Sequence, residues 1–190
     1  GIPKNTGTKI YGLCGNINKP GLYELPLGIT LRDLINEYGE GIPGGRSVKA
    51  VSPGGSSAAV LSADELDITM DFDSLAAVGS MLGTAGVTVM DDTTCMVRVA
   101  QNLAHFYRDE SCGQCVQCRE GTWWLEKMLT DIEGGKGRME HIDTLLDACF
   151  QMRGTTICAL ADGCAMPIES IVKKFRHEFE DHVRLGGCPF

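Results

Sequence analysis

Cys112, Cys115 and Cys118 stand at strict three-residue intervals, and Cys158 follows downstream within Thr155-Thr156-Ile157-Cys158-Ala159-Leu160. Such a trio lets one turning segment present three thiolates to three corners of an iron–sulfur cube, while the fourth iron takes its thiolate from elsewhere in the fold. The chemistry implied is one-electron transfer at a [4Fe-4S] cluster held by Cys112, Cys115, Cys118 and a distant cysteine, Cys158 or its rival Cys164. Zinc also accepts four thiolates, but its usual sites use two separated cysteine pairs rather than a trio plus one. A zinc-binding structural interaction module is therefore the alternative of another class. A single catalytic cysteine explains an evenly spaced trio poorly.

These residues need elements to hold them. From Met96 the apolar residues Met96, Val99, Ala100, Leu103 and Phe106 recur at helical spacing, as do Ile142, Leu145, Leu146 and Cys149, and then Ile168, Ile171, Val172, Phe175 and Phe179. With Trp123 to Ile132 they predict four amphipathic helices, separated by Gly134-Gly135-Lys136-Gly137 and Gly154, with Pro167 suited to the first turn of the last. Short links imply a four-helix bundle over residues 94–185. The trio then falls in the loop between the first and second helices and Cys158 in the loop between the third and fourth, both at helix N-termini. In an up-and-down bundle those loops emerge at the same end.

The first half has another texture. Lys9 to Cys14 and Gly21 to Leu25 read as a hairpin around Gly15-Asn16-Ile17-Asn18-Lys19-Pro20. Thr30 can cap a helix, with Asp33 in capping-box position, Leu31, Leu34 and Ile35 as its buried stripe and Gly39 as its stop. Val48 to Val51 and Ala58 to Leu61 read as further strands. Gly44-Gly45 and Gly54-Gly55 are turn glycines, since no Lys-Ser/Thr or G-x-G-x-x-G pattern accompanies them. The fold class expected is α+β: a small β-grasp unit over residues 6–72, a linking segment over 73–93, then the bundle.

Composition narrows the partners. A net charge of −8 and the interleaving of basic with acidic residues argue against nucleic acid. No run approaches the roughly 18 apolar residues of a membrane span, and the start lacks a signal peptide's charged and apolar regions. Nine cysteines are an odd number that suits reduced thiols rather than a disulfide framework. Gly1 to Thr8 reads as a linker and residue 1 is not Met, so a fragment of a longer polypeptide is expected.

The other reactive residues have plainer readings. Cys14, Cys95 and Cys149 read as small packed hydrophobes and Cys188 as part of a frayed terminus. His105, His141, His177 and His182 show no metal spacing and read as exposed helix residues. Trp123 and Trp124 read as core aromatics, with an electron route as the functional alternative. Arg119 either adds positive charge beside a cluster or pairs with Glu120.

The segment Glu110-Ser111-Cys112-Gly113-Gln114-Cys115-Val116-Gln117-Cys118-Arg119-Glu120-Gly121, with Thr156-Ile157-Cys158-Ala159-Leu160, closely resembles the cluster domain of the NADH-binding flavoprotein subunit of respiratory complex I. Gly83 to Asp92 and Phe175-Arg176-His177-Glu178-Phe179-Glu180 also look like that family, and Gly12 to Val51 is similar to its β-grasp "soluble ligand-binding" module. The resemblance implies that Cys112, Cys115, Cys118 and Cys158 bind one [4Fe-4S] cluster, which selects Cys158 over Cys164. It implies electrons arriving from NADH through FMN, both bound by a preceding α/β domain that nothing in this sequence matches, and leaving toward quinone. The partners implied are a thioredoxin-like 2Fe-2S subunit and a large iron–sulfur subunit. The location implied is cytoplasmic, peripheral on the inner face of the cell membrane, or the matrix side in mitochondria. Relatives in NAD-dependent hydrogenases and formate dehydrogenases share the core motif and give the alternative function.

Overall fold

In the first unit, Tyr11 and Leu13 are buried while Ile10 and Cys14 face outward, the alternation of a strand with one face on a core. A computed structural model describes all residues, Gly1–Phe190, and divides the chain into two units, Gly1–Thr94 and Cys95–Phe190. Strand β1 (Thr8–Gly15) pairs antiparallel with β2 (Gly21–Pro26), Tyr11 opposite Tyr23. β3 (Val48–Ser52), β4 (Leu61–Ser62) and β5 (Gly86–Asp91) complete a five-stranded sheet in the order β2-β1-β5-β3-β4. Only β1 and β5 run parallel.

Two expectations change here. The segment 73–93 is no link, because it supplies β5, the central strand, with Val87 and Val89 fully buried. Of the strand foreseen at Ala58 to Leu61 only Leu61 is in a strand, in the two-residue β4. The capped helix is present: Thr30 accepts the Asp33 N–H at 3.0 Å, and α1 (Leu31–Asp33) widens into a π-helical turn over Leu34–Tyr38. Its stripe of Leu31, Leu34 and Ile35 packs into the core with Tyr11, Leu13, Met70 and Leu75.

Asp71 caps α2 (Phe72–Ala77), accepting the Ser74 N–H at 2.8 Å. Burial pushes its carboxyl upward, but the Ser74 N–H bond and the polar groups of Ser74, Thr69 and Asp73 around it outweigh this and hold it below its ordinary 3.8. Asp91 is likewise buried and likewise depressed, by Thr93, Thr94 and the Arg46 charge. A depressed carboxyl contributes stability that is complete above its unfolded pKa and disappears as pH falls through the lower folded value. The unit is therefore expected to lose stability progressively below about pH 4. Asp71→Asn, which keeps a capping side chain but cannot titrate, is expected to flatten that acid limb in unfolding curves. An acid limb of unchanged slope would refute the assignment.

The second unit is helical: α3 (Met96–Asp109), α4 (Val116–Glu133), α5 (Met139–Met152), α6 (Leu160–Lys174) and α7 (Arg176–Leu185). The last helix expected is thus two, broken at Phe175, where φ −117° and ψ 28° leave the helical region. Pro167 lies inside α6 rather than in its first turn, because α6 begins at Leu160. α3 buries Met96, Val97, Ala100, Ala104 and Tyr107, a face turned from the stripe expected, so that Phe106 stays 47% exposed. No helix is long and apolar enough to cross a membrane.

Candidate metal centre

The helices deliver the cysteine trio and the distant cysteine to one place. α3 ends at Asp109 with Glu110 as its C-cap, a short loop carries Cys112, and Cys115 occupies the N-cap of α4. Cys118 then lies within the first turn of α4 rather than in the loop, since this helix starts seven residues before Trp123. On the other side, Thr155 closes α5 by donating to the Gln151 and Met152 carbonyls. Gly154 N–H donates to Asp162 of α6 at 2.9 Å. That hairpin sets Cys158 just ahead of the α6 N-terminus.

Cys112, Cys115, Cys118 and Cys158 all line one cavity of about 120 Å³, with Ser111, Thr156 and Leu160 on its walls. Direct contacts tie the two segments together. The Ile157 N–H donor lies 3.5 Å from Cys115 Sγ, and Ser111 Oγ lies 3.3 Å from Cys118 Sγ. Cys118 is buried whereas Cys112 and Cys158 are exposed. The N-termini of α4 and α6 border this cavity, and such termini carry partial positive charge that favours anionic ligands. Four soft sulfur donors on one enclosed space, beside helix N-termini, fit an iron–sulfur group.

The rival Cys164 does not line the cavity. It sits fully buried in α6, and burial, then the neighbouring Cys149 and Cys118, push its thiol well above the usual range. Arg119 takes the paired option: Nε donates to Glu120 at 2.9 Å and Nη1 to the Gly113 carbonyl at 2.8 Å, which braces the cysteine loop. Trp123 and Trp124 are 48% and 54% exposed, not core aromatics. Cys14 is exposed instead of packed, whereas Cys149 is buried as expected.

One group of donors gives no sign in the cysteine and histidine spacing. His182 is fully buried, not solvated, and together with Cys95, Glu133 and Cys188 it offers four ligand atoms within 4.8 Å of one another. A subtler signal existed: Phe175, Phe179 and His182 follow one helical stripe, which places the imidazole on the buried face.

Residues 98–182 match the family profile described as the NADH-ubiquinone oxidoreductase-F iron-sulfur binding region, and residues 10–61 match the SLBB domain. The F 2 subunit of the NADH-quinone oxidoreductase of Rhizobium meliloti is 50% identical over all 190 residues, which make up 45% of that relative. The chain belongs to the NADH-quinone oxidoreductase F-subunit family and corresponds to its C-terminal portion. The F subunit of Mycobacterium bovis is similar too, 46% identical over the whole chain and 42% of its own length. The chain thus spans less than half the length of these relatives. Among solved structures, an NAD+-reducing [NiFe]-hydrogenase in the air-oxidized state superposes with a TM-score of 0.85 at 26% identity, over 96% of this chain and 31% of the other. The family match accounts for both units: the mixed five-stranded sheet contains the SLBB region and the helices contain the 4Fe-4S binding region.

Proposed function

We propose that Cys112, Cys115, Cys118 and Cys158 hold a [4Fe-4S] cluster and that the chain is the electron-transfer portion of a NADH-quinone oxidoreductase flavoprotein subunit. The observation that carries this reading is the single cavity lined by those four thiols from two distant segments. When bound there, the cluster supplies a site for one electron at a time. The protein's own residues hold and shield it. Ser111, the Ile157 N–H and the first turns of α4 and α6 set positive dipole ends toward the sulfurs, where added negative charge must be accommodated. Cys118 and Leu160 close the inner wall against water, while exposed Cys112 and Cys158 leave the outer wall within reach of a partner.

In the whole assembly the electrons originate from NADH by way of FMN, bound by other parts of the same polypeptide, and pass toward quinone. Their route runs through a thioredoxin-like 2Fe-2S subunit and a large iron–sulfur subunit. The assembly sits on the cytoplasmic face of the membrane, or on the matrix side in mitochondria. The chain alone is not expected to oxidise NADH. The hydrogenase superposition favours a second reading, the equivalent part of an NAD-linked hydrogenase. Higher identity to the quinone-linked relatives supports the first reading more strongly.

Metal analysis tests the proposal. Anaerobically purified chain is expected to contain about four irons with matching acid-labile sulfide and to bleach on reduction. Zinc in a shell of four sulfurs, without iron or sulfide, would defeat it.

A further inference from the structure

We propose that Cys95, Glu133, His182 and Cys188 form a second, mononuclear metal site that takes zinc, distinct from the cysteine cavity. The four residues come from different elements: the N-cap of α3, the last residue of α4, the buried face of α7 and the tail beyond α7. Cys118 and Glu133 stand at opposite ends of α4, about 20 Å apart at the helical rise of about 1.5 Å per residue, so the inference does not rest on the iron–sulfur reading.

Hydrogen-bond chemistry fixes the roles. His182 Nδ1 lies 2.6 Å from the Glu178 carbonyl oxygen. A carbonyl can only accept, so Nδ1 carries the proton and a neutral ring turns its Nε2 lone pair the other way. That lone pair meets Glu133 Oε2 at 3.2 Å and Cys95 Sγ at 3.3 Å. Two acceptors held so close, on a fully buried ring and a nearly buried carboxylate, need a cation between them: a proton or a metal ion. The Cys95 thiol proton cannot serve both, although its sulfur also lies 3.6 Å from Glu133 Oε2. A proton shared by His182 and Glu133 would leave the convergence of two cysteines unexplained.

The spacing suits one small ion. Zinc sits about 2.3 Å from sulfur and about 2.0–2.2 Å from nitrogen or oxygen, so the edges of a tetrahedron of such ligands measure about 3.3–3.7 Å. The three edges among His182, Glu133 and Cys95, 3.2, 3.3 and 3.6 Å, match that size. An iron–sulfur cube, which puts each ligand on a separate iron, demands wider spacing. Two thiolates, one imidazole and one carboxylate also form the mixed sulfur, nitrogen and oxygen set that zinc accepts.

The surroundings support the same ligand set. Arg98 Nε lies 3.0 Å from Glu133 Oε1, a charge contact without hydrogen-bond geometry, while Oε2 faces the other donors. A dication with two thiolates and a carboxylate carries a net charge of −1, which Arg98 offsets. Binding releases the two thiol protons to solvent. The tail is held in reach because Gly186 and Gly187 N–H groups donate to the His182 carbonyl at 3.1 and 3.0 Å. Backbone also passes against backbone here: a β-carbon on Gly135 would lie 2.2 Å from the Gly186 carbonyl oxygen, an approach that brings the end of α4 beside the tail carrying Cys188. Four protein ligands leave no open position, so the ion would staple the starts and ends of three helices rather than catalyse.

Zinc-edge X-ray absorption and elemental analysis of the 190-residue chain test this, after zinc is supplied and the excess removed. About one zinc per chain in a shell of two sulfurs and two nitrogen or oxygen atoms is expected. Cys188→Ser sits in the tail and should keep the helical circular dichroism, while reducing the shell to one sulfur and weakening zinc binding at least about tenfold. His182→Gln should also release zinc, but it removes a buried ring, so Cys188→Ser decides. Folded chain that retains no zinc overturns the proposal, as does zinc bound by four sulfurs or a Cys95–Cys188 disulfide in anaerobically prepared protein. Iron content is read at its own edge, so the cluster assignment stands or falls separately.

Discussion

Cys158→Ser is expected to strip the chain of its iron, from about four atoms to fewer than about one, while Cys164→Ala leaves the iron in place. Cys158 is exposed, so the substitution removes a soft donor without disturbing a core. A serine oxygen is a poor replacement for a thiolate on iron, and Cys164 cannot step in, because it is buried within α6 and does not line the cavity. Cys164 instead packs among Cys149 and other buried side chains, where its protonated thiol behaves as a small hydrophobe. Its alanine variant should lose about 1–2 kcal/mol of stability through the cavity left behind, with the iron count unchanged. Cys118→Ser would be a poorer test, since Cys118 is buried in the first turn of α4 and folding would be affected together with ligation. Absorbance, iron and sulfide measured on the two variants check the result. Iron retained by Cys158→Ser and lost by Cys164→Ala would reverse the ligand assignment.

The cysteine trio was legible because its chemistry is local: three thiols on one turn need no knowledge of the rest of the fold. Cys158 was legible only through topology and family likeness, since nothing in a lone downstream cysteine says where it will sit. The helices were legible as periodicity, yet their ends were not. α4 begins at Val116, before the periodic stretch, and that start escaped the pattern because Val116, Trp123 and Trp124 are exposed and blur the apolar stripe. β5 was missed for a related reason. Its partner β1 lies some seventy residues earlier, and a parallel pairing so distant leaves no hairpin turn to announce it. The donors around His182 were hidden more deeply. Cys95 alone reads as a packed hydrophobe and Cys188 as a tail residue, Glu133 carries no signal of its own, and only the packing of α3, α4 and α7 unites them.

Gly15→Ala should destabilise the first unit far more than Gly44→Ala, although both glycines have positive φ. Gly15 has φ +92° and Gly44 has φ +68°, so alanine at either position meets left-handed strain of about 1–2 kcal/mol. What differs is the space. A β-carbon at Gly15 would lie 2.1 Å from the Val89 carbonyl oxygen and 2.9 Å from its nitrogen, whereas at Gly44 it would meet nothing within 4 Å. The contact at Gly15 cannot relax by turning a side chain, because the obstacle is backbone. The Val89 carbonyl accepts the Asn16 N–H at 2.8 Å, and Asn16 Oδ1 in turn accepts the Asp91 N–H at 3.4 Å. Moving Val89 away would break the parallel register of β1 on β5, on which the buried pair Leu13 and Val87 depends. The expected cost is roughly 3 kcal/mol or more, against about 1 kcal/mol for Gly44→Ala. For a unit of this size that difference should lower the melting temperature by at least about 8 °C relative to the control, and amide exchange at Leu13, Val87 and Val89 should accelerate in step. Equal shifts for the two variants would mean that backbone strain alone, and not the close approach of β1 to β5, explains the glycine at position 15.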